Sequence, residues 1–161
     1  SSAYAGETIP TFEEFIALCR AIGLRPYVEL KAGTEEQIKR MVDTVIRYGM
    51  RDKTTWISFT ANYLTYVKDK DDHARLGFVV GIVTGDTITT AQSLQTGHND
   101  VFIDCSYDRA TAGAELCAEA RIPMEVWTVN DESTIKTLDP YVSGVTSDNL
   151  IAGDVLYEAN I

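Results

Sequence analysis

Glu29 and Lys31 stand two residues apart in the run PYVELK, a spacing that on an extended strand puts carboxylate and ammonium on one side and Leu30 on the other. At the mouth of a sheet such a pair can hold a divalent cation and the phosphate that the cation neutralises. The same spacing serves a plain structural ion pair, and spacing alone favours that commoner use. Other residues close apolar runs in the same manner: Ser58 and Phe59 after TWI, Asp104 within VFIDC, and Trp127, Thr128 and Asn130 at the end of MEVWTVN. An indole at a strand end stacks on a ligand or fills the top of a sheet with equal ease. Asp104 and Asp148 suit either metal ligation or capping, with capping favoured for Asp148. Asn130 and Asp131 suit the cap of the following helix.

His73, inside KDKDDHAR, reads as solvated, and His98 follows Gly97 in a loop. Neither has a serine or cysteine at a nucleophile elbow beside it, so no histidine-dependent mechanism is visible and no residue is assigned a catalytic role. Cys19, Cys105 and Cys117 are odd in number, at spacings that match neither a zinc site nor a disulfide framework. Cys19 and Cys117 fall on apolar helix faces as core fillers, while Cys105 ends an apolar strand and stays open. This usage leaves the compartment undetermined, with a reducing cytoplasm favoured.

The elements that must position these groups alternate along the whole chain. Apolar runs of strand length begin near Pro26, Thr55, Leu76, Val101, Met124 and Ser143, several of them too continuously apolar for a sheet covered on one face only. Helical patterns lie between them, over Phe12 to Ala21, Glu35 to Tyr48, Asn62 to Lys70, Thr87 to Leu94, Arg109 to Ala120 and Glu132 to Leu138. Thr11 with Glu14, and Thr34 with Gln37, fit capping boxes, and Gly23, Gly49 and Gly97 sit where glycines end helices. Such alternation predicts right-handed βαβ units and a parallel sheet, either doubly wound and open or closed into a barrel. No G-x-G-x-x-G follows a strand, which removes the main support for a dinucleotide fold. Six strands fall two short of an eight-stranded barrel.

Hydrophobic residues make up 45% of the 161, enough for one domain to bury a real core. A net charge of −10 repels nucleic acid and anionic membrane surfaces, yet leaves room for a small anion where a metal and a lysine invert the local field. No run is long enough to span a bilayer, and no basic segment followed by an apolar one opens the chain, so the mature chain is expected to be soluble.

Read in order, IPTFEEFIALCRAIGLRPYVELK (Ile9 to Lys31), WISF (Trp56 to Phe59), RLGFVV (Arg75 to Val80), EVWTVND (Glu125 to Asp131) and GVTSDN (Gly144 to Asn149) resemble the glycerophosphodiester phosphodiesterase family. The resemblance implies an α/β fold of the TIM (β/α)8 type, here incomplete, with about six β-α units corresponding to strands three to eight and one domain over residues 1–161. It implies metal-dependent hydrolysis of glycerophosphodiesters to glycerol phosphate and an alcohol, with Mg²⁺ or Ca²⁺ as cofactor. Glu29 matches a metal ligand, Lys31 the lysine near the phosphate and Trp127 the aromatic beside the glycerol, while Phe59 joins the substrate-binding set. The family's H-R-G, E-x-D and H-D motifs, which carry its histidine pair and two further metal carboxylates, do not occur here, and Ile57 precedes Ser58 where a second serine is usual.

Two expectations follow. One is an enzyme whose missing strands come from a complementing amino-terminal fragment, because Ser1 falls at an exposed loop where chains are nicked. The other is a non-catalytic truncated barrel that acts as a binding or structural module. Its exposed edges at Val28 and Val145 would then meet a partner copy in a homo-oligomer.

Overall fold

The computed structural model describes residues 6–149. Four of its six helices begin where a side chain satisfies a free amide. In α1 (Phe12–Ile22) the Thr11 hydroxyl accepts from the Glu14 amide, and the Glu14 carboxylate accepts from the Thr11 amide at 2.8 Å. Thr34 and Gln37 repeat the exchange at the start of α2 (Glu35–Arg47), so both expected capping boxes form. The next helices, α3 (Ala61–Lys70), α4 (Gly85–Leu94) and α5 (Ala110–Ala120), lie close to their expected spans, and Thr84 with Thr87 adds a third box at α4.

Only α6 falls clearly short. It covers Glu132–Ile135, and the residues up to Leu138 turn instead through bonds from Thr137 N to Thr134 O and Leu138 N to Ile135 O, three residues apart. Gly23 closes α1 in the left-handed region at φ 76°, as a helix-ending glycine should. Gly97 also has positive φ but lies in the loop beyond α4, whose cap is Gln95.

Six strands alternate with these helices: β1 (Tyr27–Glu29), β2 (Thr55–Ser58), β3 (Arg75–Val80), β4 (Val101–Ser106), β5 (Met124–Trp127) and β6 (Val142–Val145). All pairs are parallel, and the order across the sheet is the order along the chain. A doubly wound sheet reverses direction at a switch point; this one never does, which settles the choice in favour of a barrel-type winding. The sheet also curls. Tyr27 on β1 donates from its hydroxyl to Glu125 on β5 at 3.2 Å. Those strands are four apart, about 19 Å in a flat sheet at about 4.8 Å per strand, beyond the reach of the two side chains. The six strands therefore form a curled half-barrel, an incomplete (β/α)8 fold.

Register divides the sheet into two faces. Val28, Trp56, Leu76, Phe78, Ile103, Cys105 and Val126 point outward and join one apolar core with Ile16, Ile38, Val42, Leu64, Leu94 and Cys117 of the helices. Partners of the intervening residues line the concave face: Glu29 beside Ile57, Gly77 beside Phe102, Asp104 beside Glu125. That face is polar at its amino end. Arg75 donates to Tyr27 Oη at 2.6 Å, Thr55 Oγ1 at 3.0 Å and Glu125 Oε1 at 2.5 Å, and its guanidinium lies 4.4 Å from the Phe102 ring centre.

Gly77 lets this interior close. A Cβ there would stand 2.3 Å from Phe102 Cζ and 2.8 Å from Ile57 Cγ2, both below any allowed contact. G77V is therefore expected to destabilise the fold by about 2 kcal/mol or more, and G77A by less, because overpacking an interior forces neighbours from their rotamers. Urea unfolding monitored by tryptophan fluorescence measures both; an unchanged midpoint for G77V contradicts this packing.

Candidate active site

The carboxyl ends of β1, β2, β4 and β5 bring the site residues suggested by the sequence to one end of the concave face. Glu29 ends β1 with its side chain about a third exposed, and Lys31 pairs with it at 3.2 Å. Leu30 between them is buried among the helices. The ion pair expected from spacing thus forms. Lys31 is 76% exposed, so the contact is a weak, solvent-screened one that a ligand can open at little cost.

Phe59, just past β2, meets Trp127 at the end of β5 edge to face, with ring centres 5.7 Å apart. Phe59 is more than half exposed, and Trp127 is fixed from below, its indole Nε1 donating to the Asp104 main-chain oxygen at 3.2 Å. Two aromatics from strands distant in sequence therefore make one apolar corner, at the same end of the sheet as Glu29 and Lys31.

Asp104 lies beneath this corner, 2% exposed, and its Oδ1 has no hydrogen-bond partner. Burial first, and then the like charges of Glu125 and Glu29, push its pKa up to about 7. A carboxylate oxygen left unmet beside a second carboxylate is the donor chemistry that a hard cation takes, so the residues present fit a divalent ion at this end. Asp71, Asp72 and His73 form another group close enough to share a metal, but Arg51 holds Asp71, and His73 Nδ1 lies 2.7 Å from Asp72. A guanidinium inside that cluster repels a cation.

Both histidines lie at the opposite end of the sheet, ahead of β3 and β4, stacked with ring centres 5.3 Å apart. His73 is half exposed, yet held by Asp72 rather than free in solvent. Cys105 and Cys117 are buried, their thiols pushed up to about 12 and about 11 by desolvation, and Cys19 is buried and free, so none is a nucleophile. Asp131 caps α6 by accepting from Thr134 N at 2.8 Å. Asp148 accepts from Asn130 Nδ2 at 3.0 Å and ties β6 to the loop after β5; any helix that it could cap lies outside the described residues.

The concave face also encloses a cavity of about 900 Å³, lined by Tyr27 and Thr55 on one side, Ser143, Gly144 and Val145 on the other, and Arg75 and Glu125 in its wall. It bridges the two outer strands and does not include Glu29, Lys31, Phe59 or Trp127. Tyr27, Arg75 and Glu125 were not singled out in the sequence. The one signal for Glu125 is a carboxylate in the middle of the apolar run MEVW.

The sequence profile of the glycerophosphoryl diester phosphodiesterase family matches residues 1–152. Among solved structures, the chain is similar to a glycerophosphodiester phosphodiesterase from Parabacteroides distasonis, with 18% identity, a TM-score of 0.74, and 96% of this chain aligned with 66% of that one. A phosphodiesterase from Oleispira antarctica, solved in complex with the product sn-glycerol-3-phosphate, gives 17%, 0.72, 99% and 65%. A glycerophosphodiester phosphodiesterase from Agrobacterium tumefaciens gives 19%, 0.63, 89% and 60%. At these identities the likeness is one of fold, and the chain spans about two thirds of the length of these structures or less. No curated protein matches at a significant level.

Asp104 makes stability depend on pH with a definite sign. Its folded pKa lies above the unfolded value of about 3.9, so between the two the folded state keeps a proton that the unfolded state releases. Its contribution is therefore fully present below about pH 4, falls as pH rises to about 7 and is level beyond, with a total of up to about 4 kcal/mol. The difference between wild type and D104N in chelator-treated urea unfolding at about pH 4.5 and about pH 7.5 isolates it from other carboxylates. A difference that does not change with pH refutes the assignment.

Proposed function

The chain belongs to the glycerophosphoryl diester phosphodiesterase family, and on that footing we propose that its barrel mouth serves metal-dependent hydrolysis of a glycerophosphodiester to glycerol phosphate and an alcohol. In this reading Glu29 holds a divalent cation, Mg²⁺ or Ca²⁺, which neutralises the phosphate and polarises its oxygens. Lys31 leaves Glu29 for a phosphate oxygen. Phe59 and Trp127 clasp the glycerol carbons while its hydroxyls face solvent.

The observation that carries the reading is the convergence of Phe59 and Trp127 into one corner at the end of the concave face where Glu29 and Lys31 also project. Four residues from three strands make a patch that is apolar on one side and charged on the other, which is the character of a phosphorylated glycerol.

Turnover also needs an acid and a base within reach of the scissile oxygens, and among the described residues both histidines lie at the far end of the sheet. We assign that work to groups outside the described residues, supplied by a further segment of barrel or by a second copy. The same placement of histidines favours a second reading, a module that binds the phosphorylated glycerol without cleaving it.

Calorimetric titration with sn-glycerol 3-phosphate in the presence of Mg²⁺ or Ca²⁺, beside an assay of glycerophosphocholine hydrolysis, separates these readings. Binding is expected, with K31A and W127A each weakening it about tenfold, near 1.4 kcal/mol. Turnover supports the enzyme; binding without turnover supports the module. Unaltered affinity in both variants sinks the assignment of this corner.

A further inference from the structure

We infer that Asp104 is a further ligand of the cation at Glu29, so that the ion is gripped from β4 as well as from β1. The inference rests on the proposed metal role of Glu29 and deepens it. It begins with an anomaly of burial. Among the described residues, Asp104 Oδ1 is the one buried side-chain oxygen or nitrogen without a hydrogen-bond partner. The other buried polar groups are met: Ser58 by Leu30 O at 2.7 Å, Thr54 by Met50 O at 2.9 Å, Asp71 by Arg51, and Glu125 by Arg75 and Tyr27. A fold that satisfies each of these has kept one costly exception, and it lies beside the site.

The direction in which Asp104 faces decides between a packing accident and a ligand. Its register partners are Val79 and Glu125, which places its side chain on the concave face and away from the helices. Glu29 and Glu125 both act on it with charge of its own sign. The nearby bases are engaged elsewhere, Arg75 with Glu125 and Lys31 with Glu29. Asp104 is thus the carboxylate of this group left without a cationic partner, and two carboxylates from different strands supply more of the several oxygens a hard cation requires than Glu29 alone. Trp127 steadies the Asp104 backbone through its indole, so the glycerol-facing aromatic and the inner carboxylate are held as one unit.

Binding of Mn²⁺ to the chain, followed by loss of the free-ion electron paramagnetic resonance signal, tests this directly without any assay of turnover. D104N is expected to weaken binding about tenfold or more, and E29Q at least as much. A cooperative thermal unfolding transition of D104N in metal-free buffer separates lost binding from lost folding. D104S is titrated in parallel in case the amide disturbs packing. If D104N and D104S bind Mn²⁺ within about twofold of the wild type while E29Q does not, Asp104 is no ligand and the role of Glu29 stands. If the wild type fails to bind millimolar Mn²⁺, or E29Q binds as well as the wild type, the metal role of Glu29 falls and this inference with it.

Discussion

Arg75 ties the curled sheet together across its hollow side. Its guanidinium reaches Tyr27 on β1, Thr55 on β2 and Glu125 on β5 while lying over the Phe102 ring of β4, so one side chain of β3 touches four other strands. Hydrogen bonding between neighbouring strands fixes only their local spacing and twist. Contacts across the concavity turn six twisted strands into a wall of a particular radius. Glu125 is nearly fully buried, and stripping water from it is repaid only because Arg75 and Tyr27 replace that water. Removing either partner would leave a buried charge unmet, so the curvature depends on the set as a whole.

The interior is consequently unlike at its two ends. Toward the amino ends of the strands the buried carboxylates Asp71 and Glu125 are both paired, with Arg51 and Arg75. Toward the carboxyl ends Asp104 has an oxygen with no partner, Glu29 shares only an exposed lysine, and Phe59 leaves more than half of its surface in solvent. Stability is concentrated at one end and unmet interaction capacity at the other. Parallel α/β sheets commonly separate scaffold from site in this way, because the loops that follow the strands are free to vary while those that precede them are not.

The sequence revealed what depends on neighbours along the chain. Thr11 with Glu14 and Thr34 with Gln37 mark helix starts within four residues, and continuous apolar runs mark strands buried on both sides. The placement of Glu29, Lys31, Phe59 and Trp127 at one end of the sheet was legible because residues that close parallel strands lie at the carboxyl end of the sheet. The network of Tyr27, Arg75 and Glu125 was not, since its members lie 48 to 98 residues apart and no local pattern links a tyrosine opening one strand to a glutamate four strands on. Asp104 falls between these cases: a carboxylate in VFIDC stands out, but whether it caps, pairs or ligates depends on contacts across the hollow. The span of α6 was overestimated because an apolar Leu138 continues the helical spacing, while the backbone had already tightened after Ile135.

The Glu29 and Lys31 pair shows why a weak contact suits a site. A buried ion pair would resist separation by several kilocalories, and a cation or phosphate would have to overcome that before binding. With Lys31 three-quarters in solvent, the pair contributes at most about 1 kcal/mol, so on the proposed reading the ammonium turns to an arriving phosphate while the carboxylate turns to its cation. Until then each charge screens the other and keeps both side chains near their working positions. Asp104 cannot be served in this way, because its unmet oxygen lies below the reach of solvent and of Lys31 alike. The exposed member of the carboxylate pair is therefore satisfied provisionally and the buried member is not, and on the proposed reading the drive to admit a cation comes from the buried one.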